Sequence, residues 1–348
     1  MGIVAPGCGS RTELDQGTDG GADEGVPPPA GAYSPPLEGV VMVVAGMGST
    51  CALTVDGAVS CWGAMAFGQV GVNPPRYDSC QSPPAAVPGV GSSVAIAGGS
   101  DFYCALSSAG NVWCWGANDV AQIAIAPSGA SQYDWKLPTI ISGLPPSTAL
   151  DGAPAATCAC STGGTWLCWG QDAYNTLPAA TPFPITASHV VQVTRGGSCV
   201  RMDTGGIECL NSAGQYSTVA GIPPAKDVAQ DLTQACIVAS NGEVWCWGSN
   251  RYGELGVSDV TATGPVAVPG IVDAVGVSTT WHYTCALLAS GTVTCWGCSG
   301  DGTATCVGPP AEIPGVVNAT QLSISIEEGC VRRADGTVLC WGGGATCP

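Results

Sequence analysis

The chain has 348 residues, a formal net charge of −17, only two lysines (Lys136 and Lys226) and twenty cysteines. So acidic a surface repels nucleic acid and anionic lipid headgroups, which excludes chromatin or RNA binding as a function class. The 51 glycines and 27 prolines, with no sustained helical periodicity, indicate an all-β chain of short strands and many turns.

Taken from the N-terminus, the first informative string is Ala5-Pro6-Gly7-Cys8, which looks like the end of a bacterial lipoprotein signal with Cys8 as the acylated residue. Neither a basic region nor a full apolar core precedes it. Residues 10–36 follow, rich in Gly, Pro, Asp and Glu and nearly free of large aliphatics, which is the composition of a disordered tether. Residues 1–33 are therefore expected to be a lipoprotein-signal remnant and an acidic Gly/Pro-rich tether. Nothing elsewhere approaches the roughly 20 apolar residues of a membrane helix.

From residue 34 onward one unit recurs. Seven times a cysteine is followed by another ten positions later: Cys51/Cys61, Cys104/Cys114, Cys158/Cys168, Cys199/Cys209, Cys236/Cys246, Cys285/Cys295 and Cys330/Cys340. Each pair carries a glycine six positions after its first member, from Gly57 to Gly336. In CALTVDGAVSCWG, Val55-Asp56-Gly57 reads as a three-residue hairpin loop with Gly57 in the left-handed conformation that closes a bulged turn. That register sets Leu53 opposite Val59 and Cys51 opposite Cys61 on a non-hydrogen-bonded pair, where α-carbons lie about 4.5 Å apart and a disulfide can form. Zinc is the competing reading of regular cysteines, but only Cys295/Cys298 has CxxC spacing and the chain has two histidines. The regular pairs therefore read as disulfides made in an oxidising compartment, each stabilising by about 2–3 kcal/mol in the chain-entropy model.

Both faces of these hairpins are mostly apolar, so each is expected to be packed on two sides. A further apolar strand precedes each hairpin, most clearly at 40–45, 93–97, 189–194, 271–277 and 320–326, and a Pro-bounded strand such as 85–90 or 265–271 follows. Small sheets packed around a ring satisfy this pattern, which predicts a seven-bladed β-propeller over 34–348 with one cross-strand disulfide hairpin per blade. The last unit stops soon after Cys340-Trp341-Gly342, so residues 34–39 are expected to supply its outer strand and close the ring.

The strings CALTVDGAVSCWGAMAFGQVG and CIVASNGEVWCWGSNRYGELG resemble the repeat of the regulator of chromosome condensation family: an apolar strand, a glycine turn, Trp-Gly, and an Asn-x-x-Gly-Gln-Leu-Gly tail. The resemblance covers about residues 34–348 and implies a seven-bladed propeller. Versions with bridged cysteines look like those of secreted or lipid-anchored bacterial proteins, and some members act as inhibitors or scaffolds through loops on one propeller face. The pattern decays mid-chain: Leu210-Asn211 replaces Trp-Gly in the fourth unit, and residues 171–177 of the third do not match the tail.

Six tryptophans follow the second repeat cysteine (Trp62, Trp115, Trp169, Trp247, Trp296 and Trp341), a regularity that points to packing between blades. Aromatics outside the pattern are the binding candidates: Tyr77 in NPPRYDSCQSPP, and Tyr133 and Trp135 in PSGASQYDWKLP, both read as loops. Trp281, His282 and Tyr283 correspond to Phe102-Tyr103 and are assigned to structure, as is His189. Cys298 and Cys306 flank a short glycine loop that a disulfide would close. Cys160 replaces a core leucine and is expected as a buried free thiol, while Cys80 and Cys347 are a possible pair where blades one and seven meet.

No paired catalytic carboxylates, nucleophile elbow or phosphate loop stands out, so no catalytic residue, metal or cofactor is assigned. The sequence reads as an extracytoplasmic, lipid-anchored, monomeric propeller at a bacterial surface or in the periplasm, binding a protein or another envelope macromolecule. It would touch membrane only through its anchor. The alternative is a hydrolase or lyase acting on polysaccharide through carboxylates on one propeller face.

Overall fold

The computed structural model describes residues 31–32, 37–73, 80–127, 134–171, 180–211, 213–258, 264–298, 307–326 and 328–342. It is a seven-bladed propeller of seven four-stranded antiparallel sheets. The innermost strands are Val40–Ala45, Ser93–Gly98, Ser147–Ala153, Val190–Thr194, Ala225–Gln230, Ala274–Thr279 and Ala319–Ile324, and these number the blades one to seven. The predicted hairpin forms the middle of every blade.

In blade one Leu53 pairs with Val59 and Cys51 with Cys61. The Gly57 amide donates to the Thr54 carbonyl across 2.9 Å, and φ at Gly57 is 83°, so a residue with a Cβ is disfavoured there. Every blade carries its disulfide at the predicted place. Cys51 is bonded to Cys61, Cys104 to Cys114, Cys158 to Cys168 and Cys199 to Cys209. Cys236 is bonded to Cys246, Cys285 to Cys295 and Cys330 to Cys340. Their α-carbons are 4.0–4.1 Å apart, somewhat closer than the separation expected from an ordinary ladder pair. In the second strand of blade one, Ser49–Thr54, the first five residues are all buried. A strand buried on both faces is what a blade sandwiched between neighbours requires.

The core is divided among the junctions between blades. Leu53, Val59 and Val70 of blade one pack with Ile96, Tyr103 and Trp115 of blade two, and equivalent clusters occupy the other junctions. On the hairpin-turn face, six junctions share one backbone hydrogen bond. The first residue of an inner strand donates to the turn glycine of the preceding blade: Ser93 to Gly57, Ser147 to Gly110, Ala225 to Gly205, Ala274 to Gly242, Ala319 to Gly291 and Val40 to Gly336, at 2.8–3.0 Å.

On the opposite face the tryptophans have the expected role, with a polar partner added. Trp115 Nε1 donates to the Gln69 carbonyl, Trp169 to that of Gln122 and Trp296 to that of Glu254, each at 2.9 Å. The acceptor is the Gln or Glu of the preceding blade's tail motif. Its side chain in turn accepts the amide two residues back, from Phe67, Val120 or Tyr252. The repeat motif is thus a mechanism for joining one blade to the next.

Several expectations shift in detail. The strand completing blade seven is Gly31–Ala32, paired with Leu339 and Cys340, rather than 34–39. The outer strands of blades one and five are Cys80–Ala86 and Val266–Ala267, earlier than or shorter than the prolines suggested. Cys160 is free but only half-buried, because its position pairs with Ala149 towards the turn end of the inner strand. Cys80 and Cys298 are each in a disulfide, though not with one another. Cys8, Cys306 and Cys347, and with them the lipidation and pairing expectations, lie outside the described residues.

Candidate functional site: a funnel with an apolar collar

Alternation along each inner strand sends one residue between blades and the next towards the axis. The interblade positions Val43, Ile96, Val193 and Val228 are buried. The residues paired with the first cysteine of each disulfide clasp are Val44, Ala97, Asp151, Thr194, Ala229, Ser278 and Ser323. All seven line one axial cavity of about 480 Å³, a size typical of ligand sites. The clasp therefore sets the register of the wall, while the identity of each wall residue is free to vary.

The mouth of this funnel lies where the inner strands end. Counting four positions back from the first clasp cysteine in six blades gives Met47, Ser100, Pro154, Leu232, Trp281 and Ile326, and all six line the cavity. Five are apolar, and Leu232 and Trp281 are 37% and 44% exposed. Beside Trp281, His282 meets the Tyr252 ring edge-on with centroids 4.3 Å apart, and the Arg251 guanidinium lies over that ring. Blade four departs here, because its inner strand runs directly into the short 3-10 turn Arg195–Gly197.

Polar side chains staple parts of the wall. Gln321 of blade seven accepts from the Val43 amide and donates to its carbonyl, at 2.9 and 3.0 Å, as a strand neighbour would. One Asp227 oxygen accepts from the Val277 amide at 3.1 Å, and its other oxygen accepts from Gln192 Nε2 and the Val228 amide. Arg201 in turn donates to Gln192. Burial raises the Asp227 pKa, and these hydrogen bonds counter the shift.

Asp151 differs. Among the described residues its carboxyl has no hydrogen-bond partner. Enclosure by the wall, with a smaller contribution from the Asp227 charge, pushes its pKa up to about 8. The side chain remains half-buried because it borders the cavity.

The candidates from sequence fare unevenly. Tyr77 and Tyr133 lie outside the described residues. Trp135 is not in a loop: it opens the outer strand Trp135–Ile140 of blade two, pairs with Ala117 and covers Gly68 of blade one so closely that a Cβ there would fall 2.7 Å from its ring. His189 lies beside Asp203 at 3.4 Å, both exposed. Sequence reasoning assigned Trp281 to structure and missed Leu232 and Asp151. The aromatic neighbours of Trp281 align it with Phe102, but counted from the cysteine it occupies the slot of Ser100. Among the described residues no three His, Cys, Asp or Glu side chains gather as metal ligands, and no helix is long and apolar enough to cross a membrane.

The model of the regulator of chromosome condensation (RCC1) repeat matches residues 94–122 and 235–254, segments that contain the Trp–tail elements just described. These are regulator of chromosome condensation repeats. Solved structures share the fold at low identity. Human WBSCR16 is 15% identical with a TM-score of 0.69, covering 87% of this chain and 86% of that one. Prp20p from Saccharomyces cerevisiae is 17% identical with a TM-score of 0.67, over 87% and 82%. Yeast RCC1 (Prp20) in complex with Kap60 is 15% identical with a TM-score of 0.67, over 96% and 86%.

Proposed function

We propose that this chain is a protein-binding propeller that docks its partner over the funnel mouth, held outside the cytoplasm by a lipid anchor at Cys8. The observation that carries the docking surface is the apolar collar, with Leu232 and Trp281 exposed at the rim of a cavity. Exposed apolar rings beside a concavity are a common form of protein-contact surface. Relatives of this fold support the class: Prp20p is described with its binding to Gsp1p and histones, and in complex with Kap60. The net charge of −17 argues against nucleic acid as the partner here.

The extracytoplasmic setting rests on the seven clasps, since reducing compartments do not maintain such disulfides. The unit is read as a monomer whose ring is closed by its own N-terminal strand.

The polysaccharide-cleaving alternative needs two carboxyl groups free to flank a glycosidic bond. Asp151 and Asp227 are the two wall carboxyls with raised pKa, but both oxygens of Asp227 are taken by the wall. The geometry therefore favours binding over catalysis.

Retention of envelope proteins by the immobilised propeller tests the docking surface. Trp281→Ala combined with Leu232→Ser is expected to weaken retention at least tenfold, whereas Val55→Ser on the turn face leaves it intact. Equal retention by the collar variant would remove the docking surface from the account. Partition into detergent, lost in Cys8→Ser, tests the anchor.

A further inference from the structure

The collar and the wall below it differ in chemistry, and the order in which they are met from solvent is informative. A group entering the funnel first passes the apolar side chains of Met47, Leu232 and Trp281. Beside Leu232 it meets Asp231, which also lines the cavity, and it then reaches a ring bearing the carboxyl of Asp151 and the hydroxyls of Thr194, Ser278 and Ser323. None of the described residues lining the cavity is Lys, Arg or His. An apolar stem ending in a cation matches this sequence of surfaces.

Among the described residues, no other charge around Asp151 neutralises it. The strands packed against its own, Ser93–Gly98, Phe102–Ser107, Ala156–Ser161 and Val190–Thr194, bring only Tyr103 and the Cys160 thiol as titratable groups. Arg195 belongs to the turn that follows Val190–Thr194. Further round the wall, Asp227 adds a like charge, and Arg201 is engaged by Gln192. Asp151 is thus an enclosed acid without a counter-ion among the described residues, facing a cavity with room for a ligand.

We propose that the funnel receives the alkylammonium group of a lysine from the docked partner, with Asp151 as its counter-ion and the wall hydroxyls as further acceptors. An ammonium presents three donors to separate acceptors. It suits one carboxyl and scattered hydroxyls better than a planar guanidinium, which favours a bidentate carboxylate. The proposal rests on the reading of this face as the docking surface and names what enters it. Because Asp151 on its own holds its proton up to about pH 8, binding the cation releases that proton, and affinity rises with pH below that value.

The test is calorimetric titration of the full chain with a capped Gly-Lys-Gly peptide, the same peptide with norleucine in place of lysine, and free n-butylamine. The lysine peptide is expected to bind at least tenfold more tightly than the norleucine peptide. Its affinity should rise about tenfold per pH unit between pH 6 and 7.5. Asp151→Asn, which keeps the side-chain shape, should abolish both the preference and the pH dependence, with circular dichroism confirming the fold. Equal binding of the norleucine peptide, or an undiminished preference in Asp151→Asn, would overturn the proposal. Butylamine binding as tightly as the lysine peptide would overturn the partner lysine as the source. Loss of partner retention in the collar variant, together with normal retention in Asp151→Asn, would sink this proposal while leaving the docking surface standing.

Discussion

The junction where the two ends of the chain meet is better joined than one in the middle of it. Between blades seven and one, Val40 donates to Gly336 on the turn face. Gln321 pairs with the Val43 backbone, Ser323 accepts the Ala45 amide, and Thr50 donates to the buried Glu328. Between blades three and four the described residues lack the shared turn-face bond. A Cβ on Gly164 would meet nothing within 4 Å, whereas one on Gly242 would lie 2.5 Å from the Val272 carbonyl.

The buried clusters agree. Those involving blade four, built around Trp166, Val193 and Val200 on one side and Ile207, Val228 and Ile237 on the other, are the smallest among the described residues. Blade four is also where Leu210 replaces the repeat tryptophan. The Arg195–Gly197 turn against blade three and Trp166 Nε1 donating to the Val190 carbonyl at 3.3 Å stand in for the usual joints. Closure of a propeller thus depends on the quality of the repeat at each junction, and the chain ends need not be its weak point.

The sharpest way to break this comparison is a matched pair of glycine substitutions. Gly164 and Gly242 have φ of 81° and 87°, so alanine adds the same left-handed strain of about 1–2 kcal/mol at each. Only at Gly242 does the new Cβ also collide with the next blade. Chemical denaturation is expected to show Gly242→Ala losing more than about 3 kcal/mol in total and Gly164→Ala only the backbone share. Equal losses would mean that the turn face joins blades three and four after all.

Next in size is Gln321→Ala. Removing the staple leaves the Val43 amide without its partner and should lower stability by about 1–3 kcal/mol. The equivalent residue in blade three is already alanine, Ala149. An unchanged denaturation midpoint for Gln321→Ala would show that the closing junction does not rely on its side chains.

A pH-dependent effect distinguishes the wall at blade three. The folded Asp151 pKa of about 8 lies above the ordinary value of 3.8. The folded state therefore keeps a proton that the unfolded chain releases, and stability falls as pH rises from 4 towards 8. The slope from this residue is at most about 1.4 kcal/mol per pH unit, reduced by whatever water the funnel holds. Asp151→Asn should flatten the decline in melting temperature between pH 5 and 8, leaving only the Asp227 contribution, which has the same sign. An unaltered decline would show that Asp151 is not the enclosed acid described.

How much of this could be read from sequence follows from which contacts are local. The hairpin was legible because Gly57, Cys51 and Cys61 belong to one short segment whose turn geometry dictates their register. The same holds for the clasps Cys104–Cys114, Cys158–Cys168, Cys199–Cys209 and Cys236–Cys246, including the one in the poorly conforming fourth blade. The tryptophan role was legible from its regular recurrence, although its acceptor, the carbonyl of Gln69 or Glu254, was not, because the bond joins different repeats. The funnel was hidden for a stronger reason. Asp151, Thr194 and Ser278 come from three blades and share only their pairing with a clasp cysteine, so ring closure alone brings them to one wall. The collar left a usable signal, the fourth position before that cysteine. It was obscured at Trp281 because the neighbouring aromatics suggested a different alignment.

The most direct test of the central claim, that partners dock at the collar, is photo-cross-linking from opposite faces of the ring. A photoreactive phenylalanine at Trp281, on the funnel face, is expected to capture a protein from envelope extract. The same residue at Val55, which is 79% exposed on the turn face, is expected to capture none. Capture from position 55 with none from position 281 would contradict the account.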